Sequence, residues 1–159
     1  MTRKGEAGLS PALLAGLVLG LYVAACLLPA VEAAHPGGGR PIRGLSLLLV
    51  GWQRPLCFPW SANLLLGLGL LCLSGKRYRL ASVLGGAAAL AGLTIPAVAG
   101  PRQLLGGYYL WQASLVLLSL GGRMLGQQAS AVRLERLSMG LHKTGNTMEL
   151  GYDDRANGG

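Results

Sequence analysis

Side chains that could carry out acid–base or metal chemistry are few in this sequence, and they are widely separated. The 159 residues include six acids and two histidines. None of the acids falls in the middle of an apolar segment, where proton- and ion-coupled transporters place ionisable groups. His35 and His142 belong to opposite sides of the membrane in the topology argued below, which excludes a metal site built from both. We therefore expect no catalytic residue, no metal and no cofactor.

Glu32 is the acid whose surroundings come closest to a chemical site. It directly follows one apolar segment, and an aromatic group opens another segment at a similar depth: Tyr108, Tyr109 and Trp111. Because hydroxyl and indole groups donate hydrogen bonds to carboxylates, these residues form a candidate polar cluster at the outer interface. Two other interpretations stay open: Glu32 pairs with Arg40 or Arg43, or it is an exposed loop acid.

Asn63 and Gln112 are the amide side chains that fall within apolar segments. A polar group in a bilayer commonly bonds to a neighbouring helix. We expect both residues to form hydrogen bonds between helices rather than to contact a substrate.

The composition indicates that lipid surrounds much of this chain. Only 13% of the residues are charged and 52% are hydrophobic, whereas soluble domains carry about 25% charged residues. The net charge is +8, but the basic residues stand in short clusters between apolar segments, as they do in membrane proteins. So little polar surface remains for phosphate contacts that nucleic-acid binding is not expected.

Four apolar segments predict an all-α polytopic membrane protein with four transmembrane helices, at about residues 11–31, 60–74, 80–99 and 104–120. Residues 42–52 are apolar but too short to cross, which predicts an outer interfacial or re-entrant segment. The bundle would occupy residues 1–121. Residues 122–159 would form a basic cytoplasmic tail, first an amphipathic helix and then, from His142, disordered.

The basic residues predict the orientation in a bacterial inner membrane. Lys76, Arg77 and Arg79 directly follow the second segment and belong in the cytoplasm. With both termini cytoplasmic, most of the 14 lysines and arginines lie inside. The four placed outside are Arg40, Arg43, Arg54 and Arg102.

Small residues recur at intervals of four in the first and third segments, and they include Gly16, Gly20 and Gly85. Helices in a bilayer associate by close packing of such residues. We expect the first and third segments to contact each other through these rows.

Residues 23–26, Val-Ala-Ala-Cys, match the cleavage motif of a bacterial lipoprotein, which would leave Cys26 lipidated. The apolar segment continues well beyond Cys26, which favours an intact first helix.

Four short stretches resemble a group of small four-helix bacterial inner-membrane proteins of uncharacterised function: residues 28–32, 51–52, 60–63 and 107–114. The resemblance implies the same helix arrangement and supplies no activity. From the residues, we expect a structural or accessory component that binds the lipid bilayer and either another membrane protein or itself. The alternatives are a small oligomeric channel or facilitator and an interfacial enzyme that uses Glu32.

Overall fold

A computed structural model describes residues 10–33, 40–52, 57–99 and 103–149. The chain is mostly helical, as predicted, with one small sheet. The elements in chain order are α1 (Pro11–Leu27), β1 (Pro29–Ala33), β2 (Arg40–Arg43), α2 (Gly44–Val50), α3 (Cys57–Ser74), α4 (Tyr78–Gly92), α5 (Ile95–Ala99) and α6 (Gly106–Glu149). The chain divides into two compact units, Met1–Leu125 and Gly126–Gly159.

Helix α1 ends four residues earlier than the apolar pattern predicted. Pro29 restricts the residue before it to extended backbone, and Leu28 has φ −84° and ψ 155°. The helix therefore stops at Leu27. Residues 29–31, expected to complete the first transmembrane segment, instead lie in strand β1.

Two short antiparallel strands, β1 and β2, follow α1 as a hairpin, and the rest of the described chain is mostly helical, consistent with the all-α prediction. Val31 pairs with Ile42 and Glu32 with Pro41. The predicted outer segment is thereby divided, because Ile42 belongs to β2 and the short helix α2 begins at Gly44.

Helices α3 and α4 are joined by a tight turn. The Arg77 N–H donates to the Cys72 carbonyl at 2.8 Å and the Lys76 N–H to the Leu73 carbonyl at 3.1 Å. This pair of hydrogen bonds is typical of a helix that ends with a residue in the left-handed conformation. Lys76 is that residue, with φ 57°. Helix α3 packs extensively against α4 as a result.

The third predicted segment is a helix with a break near its end. Turns at Leu93 and Thr94 separate α4 from α5. Among the described residues, the stretch Tyr78–Ala97 is the one helix long and apolar enough to cross a membrane. Only 28% of its most apolar window is buried inside the molecule. Two further apolar helices, Pro11–Leu27 and Phe58–Ser74, are shorter.

Helix α6 continues without a break through Gly121 and Gly122, where the sequence suggested that the fourth segment ended. These glycines permit close packing instead. A Cβ atom at Gly122 would lie 2.9 Å from the Ser82 nitrogen and 3.1 Å from the Tyr78 carbonyl oxygen. The helix extends to Glu149, so residues 142–149, whose composition favours disorder, are helical.

The core of the first unit contains many small residues. Ala62, Ala81, Ala88 and Ser114 are fully buried, together with leucines such as Leu115. Small buried side chains let the helix backbones approach, and many of the other leucines and valines point outward.

Candidate functional site

A cavity of about 200 Å³ lies in the first unit, where the hairpin and α2 meet the helices. Its aliphatic lining residues include Ala30, Val31, Ile42, Leu47, Leu48 and Ile95. Four aromatic residues also line it: Tyr22, Trp60, Tyr108 and Trp111. No lining residue among those described is charged, and one amide, that of Asn63, reaches the wall. A mostly apolar cavity with a few convergent polar groups is the usual form of a small-molecule site.

Asn63 joins three helices at this cavity. Its Oδ1 accepts hydrogen bonds from the Tyr22 hydroxyl at 3.3 Å and from the Trp111 indole N–H at 3.0 Å. Because an indole nitrogen only donates, the accepting atom must be the amide oxygen. Both lone pairs of Oδ1 are thereby used, and the amide nitrogen remains as the donor side of Asn63.

Tyr108 satisfies a carbonyl that the helix itself leaves free. Pro96 has no N–H to donate to the Gly92 carbonyl four residues earlier. The Tyr108 hydroxyl donates to that carbonyl at 3.3 Å. The Tyr108 ring is 5% exposed and stands edge-on to Tyr109, with 5.4 Å between ring centroids. One buried hydroxyl thus connects the start of α6 with the break between α4 and α5.

Further polar contacts hold α6 against α4. The Gln112 Nε2 donates to the Ala89 carbonyl at 2.8 Å, and the Ser119 hydroxyl donates to the Ser82 carbonyl at 3.0 Å. The Gln112 Oε1 is buried and has no partner among the described residues. Gln112 therefore lies between helices and does not line the cavity.

Two of the donors predicted to reach Glu32, those of Tyr108 and Trp111, form hydrogen bonds elsewhere. Tyr108 and Trp111 direct their donors to Gly92 and Asn63, as described above, because these two side chains face the interior of the bundle. Tyr109 is 59% exposed. Glu32 lies in β1 opposite Pro41, rather than opposite Arg40 or Arg43.

The predicted contact between the glycine rows of α1 and α4 is also not made. A Cβ atom at Gly16 or Gly20 would meet no described atom within 4 Å. At Gly85 it would lie 2.7 Å from the Ser119 nitrogen, so this glycine packs against α6. Spacing alone identified close-packing positions without showing which helix face points inward.

The described residues contain no group of three or more histidine, cysteine or acidic side chains that could hold a metal ion. No protein-family model, curated protein or solved structure matches this chain. Any function must therefore be argued from the geometry of the chain itself.

Two cavity residues escaped the sequence-based prediction, Tyr22 and Trp60. The Trp60 indole donates to the Leu48 carbonyl at 2.8 Å and so ties α3 to α2. Tyr22 carries the hydroxyl in an otherwise aliphatic stretch of α1, and this isolated polar group was the available signal. Cys26, one turn further along α1, lines the cavity as a free thiol.

Proposed function

We propose that this chain is a multi-pass membrane protein in which α1, α3, the α4–α5 segment and the first part of α6 each cross the bilayer. The observation that carries the proposal is the distribution of apolar side chains. Large aliphatic residues point outward along these helices, including Leu13, Leu64, Leu90 and Leu120. In water such surfaces would associate. In lipid they need no cover, because acyl chains are as apolar as leucine.

Helix lengths agree with a crossing that uses the flanking residues. The 17 residues of α1 rise about 26 Å at 1.5 Å per residue, against roughly 30 Å of hydrocarbon. Local thinning of the bilayer and the apolar residues after the helix make up such a difference.

The orientation proposed is that of an inner-membrane protein with both termini in the cytoplasm. The turn after α3 is basic, with Lys76 and Arg77 exposed, which favours the cytoplasmic side. The hairpin, α2 and the aromatic start of α6 would then lie at the outer interface, where tyrosine and tryptophan are enriched.

Within the membrane, we propose an accessory role in which α1 binds a transmembrane helix of another membrane protein. Ala12, Gly16 and Gly20 lie four residues apart and are exposed along one side of α1. A row of small residues lets a second helix approach closely. The two glycines have no described neighbour, so this row is available to a partner.

The test is affinity purification from membranes in mild detergent, comparing the wild type with Gly16→Leu. Since a Cβ atom at Gly16 would meet no described atom within 4 Å, the variant should keep its thermal stability but lose a stoichiometric partner. Leu64→Val, a change at an exposed position of α3, is the control that should retain the partner.

A chain that purifies without surfactant would refute the membrane assignment. A membrane protein whose Gly16→Leu variant keeps every partner would refute docking through α1. A homo-oligomer that conducts ions or solutes in liposomes would replace the accessory role with that of a channel.

A further inference from the structure

The amide nitrogen of Asn63 is a donor without an acceptor among the described residues. The amide oxygen is engaged by Tyr22 and Trp111. The nitrogen is not among the described buried polar atoms that lack a partner, so it is not sealed inside protein. Asn63 also lines the cavity, so a molecule bound there would lie beside this side chain.

The cavity is built for a neutral molecule of limited size. Its volume of about 200 Å³ exceeds the roughly 150 Å³ of an engineered apolar cavity that binds benzene. The lining residues that the structure describes carry no charge that would balance an ionised ligand, and burying an unpaired charge is costly. Trp60, Tyr108 and Trp111 line the cavity, and aromatic side chains pack favourably against another ring.

We propose that this cavity binds a lipid-soluble carbonyl compound with a ring the size of benzene, a quinone-like molecule, and that the Asn63 amide donates a hydrogen bond to its carbonyl oxygen. The inference rests on the proposed membrane location, since such a ligand would enter from the lipid. Asn63 recognises the carbonyl, while the aromatic and aliphatic walls accommodate the ring and any short substituent.

The experiment measures equilibrium binding to the full chain in lipid nanodiscs, with empty nanodiscs as the blank. The probes are decylbenzoquinone, decylbenzene, which has the same ring and chain without carbonyls, and decanoic acid, which represents an acyl chain. We expect one saturable site per chain. The quinone should bind on the order of fivefold more tightly than decylbenzene, the value of one hydrogen bond.

Two variants locate the site. Asn63→Asp keeps an oxygen for Tyr22 and Trp111 but replaces the amide N–H groups, so the preference for the quinone over decylbenzene should vanish. Ala30→Leu adds volume at a buried lining residue and should weaken binding of both ring compounds. Ala87→Leu is the matched control, since Ala87 is exposed on α4 and does not line the cavity.

Equal affinities for the quinone and decylbenzene, or tighter binding of decanoic acid, would overturn the proposal. The proposal would also be overturned if Ala30→Leu and Ala87→Leu had the same effect on ligand affinity. This comparison remains decisive even if Asn63→Asp does not fold. A chain that enters nanodiscs yet shows no saturable binding would overturn this inference alone. A chain that does not enter nanodiscs would overturn the proposed function as well.

Discussion

Tyr108 and Tyr109 are neighbours in the sequence with opposite roles in the structure. One residue along an α-helix turns the side chain by about 100°, which is enough to bury Tyr108 and expose Tyr109. The Tyr108 hydroxyl serves the Gly92 carbonyl. The Tyr109 hydroxyl has no hydrogen bond among the described contacts. Comparing variants of the two tyrosines therefore measures the contribution of one buried hydrogen bond.

Tyr108→Phe should lower the free energy of unfolding by about 1–3 kcal/mol, because it leaves the Gly92 carbonyl buried without a donor. Tyr109→Phe should change it by no more than about 0.5 kcal/mol, as expected for an exposed site. Unfolding of the purified protein in detergent, followed by circular dichroism, measures both. Equal losses of unfolding free energy in the two variants would show that the Gly92 carbonyl does not depend on the Tyr108 hydroxyl as its donor.

The sequence singles out polar side chains within apolar segments but does not show which groups they contact. Asn63 and Gln112 stood out because amides are rare in apolar segments, and both lie between helices. The Tyr108 hydroxyl, predicted to reach Glu32, donates to the Gly92 carbonyl instead, because similar depth along two helices does not determine which way each side chain faces. That direction depends on packing between distant parts of the chain.

Among the elements, the junction of α1, the hairpin and α6 is constrained by close backbone atoms. The Leu105 N–H donates to the Ala30 carbonyl at 2.9 Å. A Cβ atom at Gly107 would lie 2.8 Å from the Pro29 carbonyl oxygen and 3.0 Å from that of Leu28. These neighbours are backbone atoms, which cannot turn aside as a flexible side chain can. Glycine is thus required for α6 to start against the end of α1.

Gly107→Ala should therefore destabilise the fold by about 1–3 kcal/mol through overpacking. The adjacent Gly106 has no described neighbour within 4 Å of an added Cβ, so Gly106→Ala should leave stability unchanged or slightly raised. Thermal unfolding of the two variants in the same detergent provides the comparison. A harmless Gly107→Ala would mean that the junction is looser than these distances require.

Element positions followed from the sequence where local rules decide them. Apolar runs located the helices, and α1 begins at Pro11, a residue suited to the first helical position. The hairpin was missed because strand pairing joins residues across a loop, and prolines at both strands resembled an irregular segment. The unbroken α6 was missed because Gly121 and Gly122 weaken a helix locally. Their absent side chains instead allow neighbouring helices to pack closely against α6.

At the scale of the whole first unit, many large aliphatic side chains lie outside, while the core combines alanines with leucines. Water-soluble proteins bury their large aliphatic residues, since that burial is the main favourable term in their folding. Here the interior is held by close backbone approach and by hydrogen bonds between helices, such as those of Asn63 and Ser119. This arrangement is expected of a chain whose solvent is lipid.

Lysine substitutions on the outward faces of the helices should distinguish lipid surroundings from water by their effect on stability. Leu19 and Leu64 are exposed near the middle of α1 and α3, and Leu134 is exposed in the second unit. If lipid surrounds the first two, Leu19→Lys and Leu64→Lys should each cost about 2.5–3.5 kcal/mol, seen as less protein in the membrane fraction and a lower unfolding temperature. Leu134→Lys should have no comparable effect, because the proposed topology places it outside the hydrocarbon. In water all three changes would be close to neutral and would increase solubility, so that outcome would place the protein outside the membrane.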